Sequence, residues 1–198
     1  LKLTITSDKT SVPEIARLVP AVAGTALQPA FEFRLSGPLD RLGVDMNVRS
    51  SAGQIAGTLT TDLAAPGYAA SGNVSVQHLN LAPLVNDAKQ ASDITAQAAV
   101  DVRSESLSSP DSLSGTIKLD ANRIVAAGYV ANRLTGTATL HGRRIDVNAR
   151  AAAYGATASA AGRVVVPEGK EPLSFDLRGQ ARHLNAKAFP SSLSLPSL

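Results

Sequence analysis

The sequence predicts an all-β fold, a mainly antiparallel and elongated sheet of repeat type with two or three short helices. Three observations carry this expectation. Apolar and polar residues alternate with period two from end to end, turn signals built on Gly and Pro separate the runs at short intervals, and helical spacing appears in only a few places.

The elements follow in order. The chain begins in an alternating run, Leu1-Lys2-Leu3-Thr4-Ile5-Thr6. A helix is expected near residues 11–19, where Ser11 and Glu14 make a capping box, Pro13 sits in the first turn, and Ile15, Leu18 and Val19 give one apolar stripe. Strand alternation resumes at Phe31-Glu32-Phe33-Arg34-Leu35 and, after Ser36-Gly37-Pro38, at Val44-Asp45-Met46-Asn47-Val48-Arg49. The spacing Gly53-x-x-x-Gly57 precedes no helix, so these are expected to be turn or bulge glycines and not a phosphate-binding loop. A second helix, barely two turns long, is expected near residues 81–87, with Asn80 as N-cap and Pro83 near its start.

The same grammar returns at Gly115-Thr116-Ile117-Lys118-Leu119-Asp120. Residues 121–134 are rich in Ala, but Val125, Val130 and the Gly128-Tyr129 break favour two strands around a turn. Further turns are expected at Gly142-Arg143, Tyr154-Gly155 and Pro167-Glu168-Gly169, and a last strand at Leu173-Ser174-Phe175-Asp176-Leu177-Arg178. The run Pro190-Ser191-Ser192-Leu193-Ser194-Leu195-Pro196 reads as a tail or linker.

Composition narrows the chemistry. The chain has 198 residues and is 44% hydrophobic, but aromatics are only 4% and Trp is absent, so its core must be thin and made of small side chains. The net charge of +3 is spread over single Lys and Arg residues without a basic cluster or interleaved aromatics, which argues against nucleic-acid binding. Cys is absent, removing disulfides and thiolate chemistry together. No metal-binding helix motif, carboxylate cluster or Gly-x-Ser-x-Gly elbow is present, so neither an enzyme nor a metal or cofactor site is expected. Few aromatics also disfavour a carbohydrate-binding surface.

Two halves of the chain share an order of features. Gly72–Asn80 and Gly179–Asn185 both end in His-Leu-Asn, and His78 and His183 are 105 residues apart, as are Gly57 and Gly162. Asp45–Arg49 and Asp146–Arg150 match at a shift of 101. The expected organisation is a first β repeat unit over residues 1–92, a second over 93–190, and a tail over 191–198. The recurring histidines are expected to be structural residues at strand ends.

These residues carry a family resemblance. The Gly-opened alternating strands, a strand running into Leu-Asn-Leu-Ala-Pro-Leu at residues 79–84, and the apolar-x-Gly-x-apolar starts at Leu113–Leu119, Leu134–Leu140 and Gly155–Gly162 resemble the AsmA/TamB superfamily of bacterial envelope proteins. The likeness covers roughly residues 1–190 and is one of repeat grammar, with no catalytic signature to carry over. It implies a long sheet curled into a half-open trough with an apolar lining, in a periplasmic protein anchored in the inner membrane elsewhere. The implied cargo is phospholipid, the implied role outer-membrane biogenesis, and an outer-membrane assembly protein the implied partner of the full-length protein. On this reading the chain is an internal segment, without the membrane helix and C-terminal region of full-length members.

The trough would be lined by Val44, Met46, Val48, Ile117, Leu119, Val147, Phe175 and Leu177. Each buried methylene is worth about 0.8 kcal/mol, so such a lining holds acyl chains without directional bonds. The competing expectation is a structural or adhesive secreted β-solenoid whose interior is filled by its own side chains.

Overall fold

A computed structural model describes residues 1–8, 27, 29–64, 67–85, 87–106, 109–126, 129–167 and 174–183. They form a single antiparallel sheet of eleven strands whose spatial order equals their order in sequence. The strands are β1 (Lys2–Ser7), β2 (Ala30–Ser36), β3 (Leu42–Ser50), β4 (Gly53–Asp62), β5 (Tyr68–Leu79), β6 (Ser92–Ser104), β7 (Ser114–Ala126), β8 (Tyr129–His141), β9 (Arg144–Ala153), β10 (Ala156–Val165) and β11 (Ser174–Arg182). Every strand pairs with its sequence neighbours, and among the described residues the sheet does not close, so that β1 and β11 are its two edge strands.

The alternating runs at residues 31–35, 44–49 and 115–120 fall in β2, β3 and β7, and residues 174–178 of the last run fall in β11. Residues 121–126 form the end of β7 and residues 129–134 the start of β8, so the described part of this stretch is strand, not helix. The helix expected at 11–19 and the tail at 191–198 lie outside the described residues. Near 81–87 the described residues hold a single helical turn, α1 (Ala82–Val85), shorter than expected, and the Asn80 carboxamide oxygen accepts hydrogen bonds from the backbone N–H groups of Ala82 and Ser92, both at 3.1 Å. The junction at residues 92–93 coincides with the start of β6, and the sheet runs across it without interruption.

Two of the hairpins show how tight a connection can be. Ser50 faces Gly53 and Ala153 faces Ala156, so two residues turn each corner. At the second corner Tyr154 and Gly155 have φ of 52° and 78°, the pair of positive values that a type I′ turn requires and that matches the twist of the strands it joins. The Tyr154 hydroxyl oxygen accepts a 2.8 Å hydrogen bond from the Val130 N–H and so braces the neighbouring hairpin.

Gly57, expected between strands, lies inside β4. A Cβ there would come within 2.9 Å of the Met46 methyl, so the missing side chain makes room for the Met46 side chain directly across the ladder. Gly115 has the stronger constraint: its φ is 139°, and an added Cβ would stand 2.2 Å from the Asp101 carbonyl oxygen on β6. Only glycine fits both the conformation and the gap.

The interior is thin. Among the described residues, the buried apolar side chains are Leu27, Leu42, Ala52, Ala96, Ala121, Leu140 and Ala156, and no large side chain is fully buried. Beyond the strand ladders, single helical turns of the described residues border the sheet, at Leu39–Arg41 beside β4 and at Pro110–Ser112 beside β6. No second layer of described residues covers either face.

With so small a core, stability rests on the ladder. Gly115→Val should therefore lower the free energy of unfolding by about 2 kcal/mol or more, measured by urea denaturation. Thr116→Val, one residue away and free of the close approach, should change it by less than about 1 kcal/mol.

Candidate functional site: one apolar sheet face

Directly paired residues of an antiparallel ladder point to the same side of a sheet, so the register assigns every side chain to a face. The row through Val44 is decisive. On β1 to β4 it consists of Leu3, Leu35, Val44 and Leu59. From β5 onwards it continues through Gly72, Val100, Ile117, Ala138 and Val147. It ends at Gly162 and Leu177. The row crosses all eleven strands without a polar side chain.

The next row behaves alike, with Ile5, Phe33 and Met46 at one end, Val74, Ala98 and Leu119 in the middle, and Ala149, Ala160 and Gly179 at the other. Phe31 and Phe33, two residues apart on β2, meet on this face with ring centroids 5.4 Å apart. Rows of the other parity are polar. One runs through Arg34, Asp45, Thr58 and Asn73, then Lys118, Thr137 and Asn148, to Arg178.

All the residues expected to line a trough therefore lie on one face: Val44, Met46 and Val48 on β3, Ile117 and Leu119 on β7, Val147 on β9, Phe175 and Leu177 on β11. The first six are half-buried, whereas Asp45, Lys118 and Asn148 of the opposite face are exposed. At the edge of the sheet the same apolar face is open to solvent, with Phe175 73% and Leu177 48% exposed.

Three β-bulges keep the face unbroken, in β5 between Val76 and Leu79, in β7 opposite Thr95 to Gln97, and in β8 between Asn132 and Thr135. Each carries one extra residue, which reverses the phase of the strand. At each one the sequence doubles its polar residues: Gln77-His78, Asn122-Arg123 and Asn132-Arg133. Without the bulges these strands would turn His78, Arg123 and Asn132 into the apolar face. With them, Leu79, Ile94, Ile124 and Ala131 form a further apolar row. His78 and Arg133 adopt positive φ, 51° and 49°, to make the step. The paired polar residues were the signal in the sequence, and alternation counted strand by strand overlooks it. His183, the counterpart of His78, also has a positive φ of 60°.

The face is large. Strand spacing of about 4.8 Å and a two-residue repeat of about 6.6 Å give four apolar rows an area on the order of 1,000 Å². The largest apolar patch on an ordinary soluble monomer is roughly 300–600 Å². A hollow of about 350 Å³ lies at one end of this face, among Ile124, Tyr129, Ala153, Ala156, Ala158 and Ala181. A wider hollow of about 690 Å³ lies at mid-sheet, bordered by polar-face side chains including Asn73, Gln97, Lys118, Asp120 and Arg150.

Charges on the polar face pair locally. Arg34 meets Glu32 at 2.6 Å, and Asp45 accepts a 2.9 Å hydrogen bond from the Thr58 hydroxyl across the ladder. Asp146 gathers the densest group, with Arg144 at 2.6 Å, Arg163 at 3.5 Å and His141 at 3.9 Å. The hydrogen bonds donated by Arg144 hold the Asp146 carboxyl below the usual carboxylate range against a smaller opposing effect of desolvation, and the charges of Arg144 and Arg163 act in the same direction as those bonds. The same contact raises the Arg144 guanidinium. His78 lies 3.0 Å from Asp93 at an exposed site. These exposed pairs add little stability individually.

No family model, curated protein or solved structure matches this chain.

Asp146 should titrate below an unstructured aspartate in a pH series followed by carboxyl NMR. Because the folded-state value is the lower one, the stabilisation it brings is complete above about pH 5 and fades as the pH falls through the depressed value. Arg144→Gln should return the transition towards the ordinary range; an unaltered titration curve would show that the pair does not persist in solution.

Proposed function

We propose that this chain is a segment of an AsmA/TamB-like periplasmic protein and that its apolar sheet face shields phospholipid acyl chains on their way between the inner and outer membranes, contributing to outer-membrane biogenesis. The observation that carries this reading is the uninterrupted apolar face, which crosses eleven strands and has no second layer over it among the described residues.

The physical argument is one of scale and chemistry. The sheet is about 48 Å wide at ten spacings of 4.8 Å, and a strand of ten residues is about 33 Å long. Several extended acyl chains of about 20 Å fit within that frame. Curling of the sheet towards its apolar side would make the half-open trough. Contacts of this kind have no directional bonds, so a chain slides along the face at nearly constant energy. Lipid head groups would stay in water at the rim. A solenoid with adhesive or structural duty requires an enclosed interior filled by its own side chains, and the described residues form none.

The chain purified from detergent should retain phospholipid detectable by native mass spectrometry. Val48→Asp and Ile117→Asp should each reduce retention at least about tenfold, since a carboxylate on the face costs several kcal/mol against a hydrocarbon ligand. Thr137→Asp, on the opposite face, should retain lipid as the parent does. A lipid-free preparation that also ignores added fluorescent phospholipid, with its β-sheet circular dichroism intact, would refute the transport reading.

A further inference from the structure

The free edge of β11 has a register code of its own. All nine of its residues are exposed, and no described element covers its outer side. We infer that β11 is a self-complementary edge on which a second copy of this chain pairs antiparallel, joining two sheets into one about a two-fold axis through Leu177.

Strand parity sets the symmetry. In a meander of eleven antiparallel strands, β1 and β11 run in the same direction. A copy added by translation would therefore bring β1 to β11 in parallel. A two-fold axis perpendicular to the sheet brings β11 to β11 antiparallel and keeps both apolar faces on the same side.

Side chains then select the register. With Leu177 opposite Leu177, Asp176 faces Arg178 of the second copy, and the symmetry repeats this opposite-charge pair on the other side of the axis. Phe175 faces Gly179 of the second copy, again twice. This sheet already uses that arrangement: Met46 faces Gly57, Leu59 faces Gly72, Leu119 faces Gly136 and Leu177 faces Gly162, a large apolar side chain lying over a glycine on the neighbouring strand each time. Phe175, at 73% exposure, is a large side chain with no described strand on its outer side, and Gly179 is the complement. Sliding the copies by one pleat places Arg178 opposite Arg178 in one direction and Asp176 opposite Asp176 in the other. Charge favours the register between them, in which residues 174–180 of the two copies face one another.

Sedimentation velocity of the whole chain, with detergent removed, tests this. The parent should double its mass as concentration rises. Asp176→Arg and Arg178→Asp should each weaken association about tenfold or more, because two opposite-charge pairs become like-charge pairs. An equimolar mixture of the two variants should associate again, since each then offers the charge the other needs. A parent that stays monomeric, single variants that dimerise as the parent does, or a mixture that fails to recover would each overturn the inference. Hydrogen exchange gives a reading independent of the variants: amides of residues 174–180 should gain protection with concentration while those of β1 do not. Equal, concentration-independent exchange along both edges would overturn it as well.

Discussion

The structure depends on agreement between two periodicities. Side chains alternate every two residues along each strand, and the ladder fixes which residue of the next strand stands opposite. A slip of one residue at any strand boundary would turn that strand's apolar residues to the wet side. Here the two agree across eleven strands, so that Val44, Ile117, Val147 and Leu177, more than 130 residues apart at the extremes, share one row. Among the described residues no large side chain is fully buried, so they hold no dense core to correct a register error. Correct pairing has to come from the turns and from the side chains within each ladder.

Two local devices meet that demand. Tight two-residue hairpins such as Ala153 to Ala156 leave no slack in the following strand. Glycines opposite Met46, Leu59 and Leu119 mark single positions where a bulky neighbour fits, so a slipped register would set a bulky side chain against a filled site. The bulges in β5, β7 and β8 complement these devices. At each of these three steps two polar residues stand in succession, the backbone absorbs one, and the apolar rows continue.

Much of this was legible in the sequence because each strand is amphipathic on its own. Alternation at residues 44–49 needs no knowledge of the partner strand to show that Val44, Met46 and Val48 share a side. The same holds for Ile117 with Leu119 and for Phe175 with Leu177. What alternation within a strand does not reveal is whether those three groups of residues share one face, since that depends on pairing between strands. Gly57 was misplaced for a related reason: a glycine within a strand and one at a turn look alike until the residue opposite is known. The bulges needed a reading of doubled polar pairs, which a strict two-residue count treats as strand ends. Near Leu81 the turn at Asn80 was visible, but the helix described there, Ala82–Val85, is one turn long, and Asn80 also ties the chain to the start of β6 through the Ser92 N–H.

The connectivity has one more consequence. Because each strand pairs only with the strands before and after it in the chain, no contact of the ladder waits on a distant segment. Assembly can thus advance one hairpin at a time from whichever turn closes first, with a low entropic cost for each closure. The same geometry governs evolution and failure: duplication of a hairpin lengthens the sheet without disturbing what is already built, and thermal fraying begins at the outermost strands and travels inwards.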